Sequence, residues 1–213
     1  MVKASTQAKL LAIGERFFLE KGYNHTGIQE VLQEAGVPKG SFYYYFKSKE
    51  DFGLGVIEAS NRSYLEQLEQ CFSDETRSPL NQLRRYFENG IKTFIRNDYR
   101  CGCLVGILSQ EMASQNEAFR LCLDRILNDW RDRFDRCLKN AQSIGELASH
   151  WDTWQLASFI LDSWEGALQR AKVSRSSAPL ERFVSVLFDA VLTTGVIAAP
   201  NLDPASIPSS SPR

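Results

Sequence analysis

Apolar residues recur at helical spacing along most of this sequence, and almost no segment shows the strict alternation that is typical of a β-strand. In the first such segment Leu10, Gly14, Phe17 and Phe18 share one face of an amphipathic helix. The pattern predicts an all-α fold without internal repeats. Beyond residue 50 we expect helices at about 49–72, 79–97, 104–115, 116–142, 153–173 and 178–197.

The composition is that of an ordinary soluble chain, and it excludes several classes of protein. The 213 residues carry 25 Lys+Arg against 26 Asp+Glu, a net charge of −1, which argues against a wholly basic chain that coats nucleic acid. A local basic patch is not excluded by this total. No apolar run approaches the ~18 residues of a membrane span, and the N-terminus lacks a secretory signal. We therefore expect a cytoplasmic protein that does not contact a membrane.

A helix-turn-helix is predicted between residues 26 and 46. Thr26 is the expected N-cap of a short helix, which ends at the glycine of the turn Ala35–Pro38. The next short helix is expected from Lys39 to about Tyr45, and Ser48 is the expected N-cap of a long fourth helix. A tight turn of this kind lets the second helix project its N-terminal residues into the major groove of DNA.

The residues of this region resemble the DNA-binding domain of the TetR family of repressors. The resemblance covers about the first fifty residues, and the motifs that carry it are Leu10, Phe17–Tyr23, His25-Thr26, Val37–Phe46 and Lys47–Asp51. It implies an all-α homodimer. Each chain has an N-terminal three-helix helix-turn-helix DNA-binding domain and a C-terminal helical domain for effector binding and dimerisation.

Candidate DNA contacts follow from this resemblance, position by position. Thr26 and Lys49 resemble phosphate contacts, and Gln29 either reaches a base edge or is a solvated surface glutamine. Many members of the family have histidine at the position of Tyr44, so the partner of this side chain on DNA is left open. The residues that match the recognition helix and are expected to face outward are Lys39, Gly40, Ser41, Tyr43 and Tyr44, whereas Phe42 and Phe46 are expected to pack inward.

The domain boundaries are predicted at 1–50 for DNA binding and 51–199 for effector binding and dimerisation. Residues 200–213 hold four of the seven prolines and three consecutive serines, so we expect a disordered tail. The last two helices have wide apolar faces that a second copy of the chain would cover. A symmetric dimer presents two recognition helices to half-sites ~34 Å or a multiple apart, hence a near-palindromic operator in double-stranded DNA.

Five cysteines are an odd number, which disfavours a structural disulfide framework in a cytosolic chain. Cys71, Cys122 and Cys137 lie in helical stretches, where we expect small buried hydrophobes. Cys101 and Cys103 are different, because they lie at a junction between a loop and a helix. A helix N-terminus and a nearby cation stabilise the thiolate, which is the reactive form of cysteine.

A second resemblance concerns Gly102–Ala113 and Trp164–Ser174. These stretches are similar to a subgroup of TetR-type repressors that answer to small reactive or unsaturated compounds, among them acrylate, N-ethylmaleimide, quinones, reactive aldehydes and chlorine species. Cys103 matches the reactive cysteine of that subgroup, and Lys172 is the candidate for the nearby cation. Aromatic residues of the central helices, Trp130 and Trp164 among them, are candidates for a pocket wall, although core packing is the commoner role.

The sequence therefore predicts a DNA-binding repressor that a small ligand or an electrophile releases from its operator, and that needs no cofactor. Three interpretations of Cys101 and Cys103 stay open: an electrophile sensor, the wall of a reversible ligand pocket, and a metal site to which only His25 and His150 could add imidazole. Glu111 and Glu165 are either buried near the pocket, where a carboxylate could select a cation, or surface or structural residues. The rival classes are a thiol enzyme with Cys103 as its nucleophile and a helical interaction module without DNA binding.

Overall fold

The computed structural model describes residues 2–100 and 102–192, and within these ranges all regular secondary structure is helical. This confirms the predicted all-α fold. The last helix continues as a π-helical turn over Leu187–Val191. The helices are α1 (Val2–Lys21), α2 (Ile28–Ala35), α3 (Lys39–Tyr45), α4 (Lys49–Phe72), α5 (Pro79–Arg96), α6 (Leu104–Met112), α7 (Glu117–Ser143), α8 (Thr153–Ser174) and α9 (Ala178–Val186).

The capping signals explain where several of these helices begin and end. Ser48 is the N-cap of α4, as predicted, and its hydroxyl accepts the backbone N–H of Asp51 at 3.0 Å. Gly36 ends α2 in the left-handed conformation with φ 65°, which glycine adopts without a steric penalty. The predicted N-cap of α2 was wrong. Gly27 occupies that position and no side chain caps the helix, while Thr26 is buried one residue earlier.

The N-terminal part of the chain, here called the head, consists of α1, α2, α3 and the first turns of α4, packed around aromatic rings. Phe52 of α4 makes edge contacts with Phe18 and Phe42, whose ring centroids lie 5.9 and 5.7 Å from its own. Gly14 of α1 gives Phe52 the room to approach, since a Cβ there would meet the phenyl ring at 2.5 Å. The predicted boundary at residue 50 therefore falls in a helix that belongs to both parts of the chain.

The remaining helices form the body, in which α5, α7, α8 and α9 pack side by side and α6 lies against α1, α4 and α7. Phe87, Phe134 and Trp164 are buried at its centre and contact one another through Phe87. The core of head and body is continuous. None of the described helices is long and apolar enough to cross a membrane.

Some predictions fall on residues outside the described ranges. These are the last residues of the helix expected at 178–197, the disordered tail at 200–213 and the side chain of Cys101. The division into domains at 1–50, 51–199 and 200–213 stays a prediction.

Gly53 of α4 lies where the head meets the body, and replacing it should destabilise the protein. A Cβ there would meet Phe119 of α7 at 2.6 Å and Tyr23 at 2.7 Å, both buried. Overpacking of this kind costs about 1–3 kcal/mol, which exceeds the roughly 1 kcal/mol of helix propensity that alanine adds. We expect Gly53→Ala to lower the free energy of unfolding by about 1–2 kcal/mol in urea titrations at fixed protein concentration.

Gly40→Ala is the matched control, since a Cβ at this position in α3 has nothing within 4 Å. It should leave stability unchanged or raise it by up to about 1 kcal/mol. Equal stability of the Gly53 variant and this control would contradict the close packing between head and body.

Candidate DNA interface and effector cavity

The recognition helix α3 exposes the side chains that the sequence assigned to DNA. Tyr43 and Tyr44 are 63% and 64% exposed, which is unusual for residues of this size, and Lys39 is exposed as well. Phe42 and Phe46 are buried and hold the helix on the head. The outward and inward faces of α3 are thus as predicted.

Gly40 and Ser41 complete the outer surface of α3. No heavy atom lies within 4 Å of the position of a Cβ on Gly40, so the backbone there is open to a partner. Ser41 is half-buried, and Gln29 of α2 is exposed. Their contacts with DNA stay predictions.

Thr26 and Lys49, the two expected phosphate contacts, have partners inside the protein. The Thr26 hydroxyl donates to the carbonyl of Gly22 at 2.7 Å, and the residue is 1% exposed. Lys49 donates to the carbonyl of Asn24 at 3.3 Å, and its Nζ lies 4.5 Å from the centroid of the Tyr23 ring. Burial lowers the pKa of Lys49 from its usual value. Both side chains hold the loop between α1 and α2.

Glu111 of α6 joins the body to this same loop. Its carboxylate accepts the backbone N–H of Tyr23 at 2.8 Å and that of Asn24 at 2.7 Å. Gly22 adopts φ 82°, and the carboxylate fills the space that a Cβ on this residue would need. We call this arrangement the Glu111 clamp. Glu111 is therefore a structural residue rather than a ligand contact.

A cavity of about 410 Å³ lies in the body, a volume in the range of small-molecule sites. It is bounded by α4, α5, α6, α7 and α8, with residues of α1 at its edge. Trp130 and Trp164 line it, as predicted. The side chains that give the cavity its chemistry are Tyr64, Tyr86, Cys103, Trp130, Trp164 and Glu165.

Cys103 is the N-cap of α6, and its sulfur accepts the backbone N–H of Gly106 at 3.4 Å. The helix N-terminus is as predicted, but the expected stabilisation of the thiolate is wrong. Burial and, next, the negative charge of the nearby Glu165 carboxylate raise the pKa of Cys103 well above its usual value. The thiol is therefore protonated near neutral pH.

Glu165 takes the place beside Cys103 that was expected for a cation. Burial raises the pKa of Glu165 to about 7, while the neighbouring Cys103 thiol acts in the opposite direction. Lys172 lies two turns further along α8, in its last turn, and is not part of the cavity wall. The prediction that Lys172 faces the thiol was wrong because α8 presents its glutamate, not its lysine, to α6.

Two tyrosines in the cavity form a pair that the sequence analysis missed. The hydroxyl groups of Tyr64 in α4 and Tyr86 in α5 are hydrogen-bonded to each other. Burial raises the pKa of both phenols. Trp130 stacks on Tyr64 with centroids 3.9 Å apart and donates to the buried Asn61 at 2.8 Å. Only the packing of three helices brings these residues together.

The other described cysteines lie in different environments. Cys137 is buried, as predicted, and donates to the carbonyl of Pro79 at 3.3 Å. Cys71 instead lines the cavity, and Cys122 is half-buried on α7, 3.6 Å from Glu58. Within residues 2–100 and 102–192 there is no group of three or more His, Cys, Asp or Glu that could hold a metal ion.

Comparison with known proteins identifies the class to which this fold and site belong. Residues 10–53 match the family model of bacterial regulatory proteins of the tetR family, and residues 79–187 match that of a tetracyclin repressor-like C-terminal domain. The chain belongs to the TetR family of transcriptional regulators. It is a DNA-binding repressor, not an enzyme, and members of this family bind operator DNA as dimers that respond to small-molecule effectors.

Similar proteins include three regulators. The transcriptional regulator AcuR of Cereibacter sphaeroides is 40% identical over 82% of this chain and 80% of its own length. The repressor DhaR of a Mycobacterium species is 33% identical over 90% of this chain and 95% of its own. The repressor NemR of Escherichia coli is 30% identical over 90% and 96%.

Solved structures agree with the fold. The crystal structure of a regulatory protein TetR from Rhodobacter sphaeroides has a TM-score of 0.80 and 39% identity, and it covers 84% of this chain and 95% of that one. The crystal structure of the reduced form of E. coli NemR has a TM-score of 0.81 and 30% identity over 90% of this chain and all of that one.

The Glu111 clamp should control the opening of the loop between α1 and α2. Glu111→Ala removes the acceptor of two backbone N–H groups, and a hydrogen bond to a partly exposed carboxylate contributes about 1 kcal/mol. We expect amide hydrogen exchange at Tyr23 and Asn24 to become about fivefold faster or more. Mass spectrometry of the exchanged protein measures this change.

Glu117→Ala is the control, because the Glu117 carboxylate pairs with Arg120 on the surface of α7. Exchange at Tyr23 and Asn24 should not change in this variant. Unchanged protection in the Glu111 variant as well would show that other contacts hold the loop.

Proposed function

We propose that this repressor leaves its operator when a small molecule occupies the cavity at Cys103, and that electrophiles act by forming a covalent bond with that thiol. One observation carries the proposal: the cavity wall contains the N-cap of α6, and the last turn of the same helix holds the DNA-binding head. The other candidate is reversible binding in this cavity without a covalent bond. The raised pKa of Cys103 favours that candidate, because a protonated thiol is the less reactive form.

Two observations support a covalent response. Cys103 is only half-buried, and its exposed part faces the cavity, so a small molecule inside it meets the sulfur. The related NemR of E. coli is known in a crystal form described as reduced. A reduced form named in a relative fits a thiol that changes its chemical state.

The signal would pass along α6. This helix of nine residues is roughly 13 Å long, with Cys103 before its first turn and Glu111 in its last. A bulky group at Cys103 displaces the start of α6, and the Glu111 clamp transfers the displacement to the loop that precedes α2. Effector and operator then bind antagonistically, because coupling between two sites is reciprocal.

The dimer interface is proposed on α8 and α9. These helices pack against each other and carry large apolar side chains that are exposed in the single chain, among them Phe159, Val173 and Val186. A second copy would cover them. The two recognition helices of such a dimer would read a near-palindromic operator in which the half-sites are ~34 Å or a multiple apart.

The DNA contacts are proposed for Lys39, Gly40, Ser41, Tyr43 and Tyr44 of α3. An exposed lysine and exposed hydroxyl groups are suited to phosphate oxygens and base edges. Gln29 of α2 is exposed beside them, whereas Thr26 and Lys49 act through the loop that they hold.

Cys103→Ser tests the covalent response. The uncharged probe methyl vinyl ketone should weaken operator binding of the wild-type dimer about tenfold or more and leave the affinity of Cys103→Ser unchanged. Fluorescence anisotropy with labelled operator measures the affinity, and mass spectrometry locates the adduct. Cys122→Ser is the control, because Cys122 lies outside the cavity, and it should respond like the wild type.

Release of the Cys103→Ser variant by the probe would contradict the covalent assignment. The same experiment on Cys71→Ser then decides between the two described thiols of the cavity. Release of both variants would leave reversible occupation of the cavity as the mechanism.

Lys39→Ala tests the recognition helix. We expect weaker operator binding and a decrease of about one unit in the slope of log affinity against log salt, because one phosphate contact is lost. Lys92→Ala is the control, since Lys92 is exposed on α5 in the body. An unchanged slope for Lys39→Ala would remove Lys39 from the phosphate contacts.

A further inference from the structure

We propose that Glu165 is the proton acceptor for Cys103, and that the pair adds the thiol across the carbon–carbon double bond of an uncharged α,β-unsaturated carbonyl compound. This inference rests on the proposed covalent response and adds to it the reacting pair and the class of electrophile. The geometry that points to it is the approach of α8 to the first turn of α6.

Gly106 makes this approach possible. The Glu165 carboxylate occupies the space that a Cβ on Gly106 would need, so any larger residue there would displace it. The carboxylate thereby lies over the start of α6 close to the Cys103 side chain, whose Cβ is 3.6 Å from the same position above Gly106, and each of the two groups shifts the pKa of the other. Gly106 follows Cys103 by three residues, and because it has no side chain, it leaves room for the carboxylate at this point of α6.

The charges of the cavity favour an uncharged compound. Among the described residues of its wall, the charged side chains are Glu15 of α1 and Glu165 of α8, and both are acidic. An anionic electrophile would meet like charge without a compensating cation in this wall. An uncharged enal, enone or ester of an unsaturated acid meets no such repulsion.

The proposed reaction balances without an oxidant or a further reactant. The thiol proton passes to the Glu165 carboxylate while the sulfur forms a bond to the β-carbon. The π electron pair of the double bond moves toward the carbonyl group to give an enolate. The α-carbon then takes the proton from Glu165, and the product is a thioether. In the hydrogen bond between Tyr64 and Tyr86, one hydroxyl group donates to the other. The hydroxyl group that accepts this bond keeps its own hydrogen, which it can donate to the carbonyl oxygen of the electrophile.

The pH dependence follows from the groups around Glu165. Facing it are Tyr64 of α4, Tyr86 of α5 and Cys103 of α6, with Asp162 on its own helix and Glu15 of α1 at the same cavity. Of these, Glu165 has its pKa raised to about 7. As the pH rises through 7, Glu165 loses its proton and becomes able to accept one. The rate of addition at Cys103 should rise with it and then level off.

Glu165→Gln separates this role from a simple electrostatic one. As a proton acceptor, Glu165 accelerates the addition, so the variant should react with methyl vinyl ketone about tenfold slower or more just above pH 7. Its rate should keep rising with pH as the thiol itself ionises. As a mere negative neighbour, Glu165 raises the pKa of the thiol, and its removal would make the reaction faster. The two roles predict opposite changes in rate.

The experiment follows adduct formation at Cys103 by peptide mass spectrometry of the full-length dimer, over a pH series on both sides of 7. Glu58→Gln is the matched control, because Glu58 faces the thiol of Cys122 outside the cavity and pairs with Arg125. It should retain the wild-type rate and profile at Cys103. A Glu165→Ala variant, which opens space for a small carboxylate, should be accelerated by added formate.

A Glu165→Gln variant that reacts as fast as the wild type or faster, or a Glu165→Ala variant that formate does not accelerate, overturns the role of Glu165. The proposed function is judged separately, by whether the finished adduct at Cys103 lowers operator affinity. An adduct that leaves operator affinity unchanged overturns the covalent release mechanism and leaves the assignment of the proton acceptor intact.

Discussion

Glu111 accepts hydrogen bonds from the backbone N–H groups of Tyr23 and Asn24. The position of the head relative to the body depends on this contact. In the same loop, the carbonyl of Asn24 accepts a hydrogen bond from the ammonium group of Lys49, and the carbonyl of Gly22 accepts one from the hydroxyl of Thr26. A carboxylate that satisfies two neighbouring N–H groups fixes the loop in direction as well as in distance. The orientation of α2 and α3 on the body therefore depends on a residue of the effector domain.

The same helix begins at the cavity, so a single element joins the cavity wall to the loop that precedes α2. At Cys103 three effects compete: the helix N-terminus stabilises a thiolate, whereas burial and the Glu165 carboxylate oppose it. The latter two prevail, so the free protein holds a protonated thiol beside a carboxyl group of raised pKa. A protonated thiol is the less reactive form, so the covalent response proposed for Cys103 requires a proton acceptor beside it.

Much of the fold and part of the site could be predicted from the sequence. Capping and turn signals gave the start of α4 at Ser48 and the short α3, and Phe42 and Tyr43 were expected on the buried and exposed faces of that helix, where the structure has them. These signals involve residues within about one helical turn of each other. Local sequence is therefore sufficient to predict where such a helix starts and which face is buried. Trp130 was predicted for the cavity wall for a similar reason, since its face of α7 is the apolar one.

The sequence by itself determined the helices, the N-cap of α4 at Ser48 and the family of the chain. Only the tertiary structure decided that Glu165 rather than Lys172 lies beside the thiol, that Glu111 binds a loop 88 residues away, and that Cys71 faces the cavity. The physical reason is that helix positions and crossing angles set these neighbours: Glu165 and Lys172 share one face of α8 two turns apart, so the point at which α8 crosses α6 decides which of them meets the thiol. Side chains far apart in the sequence carry no local signal of which partner they will meet.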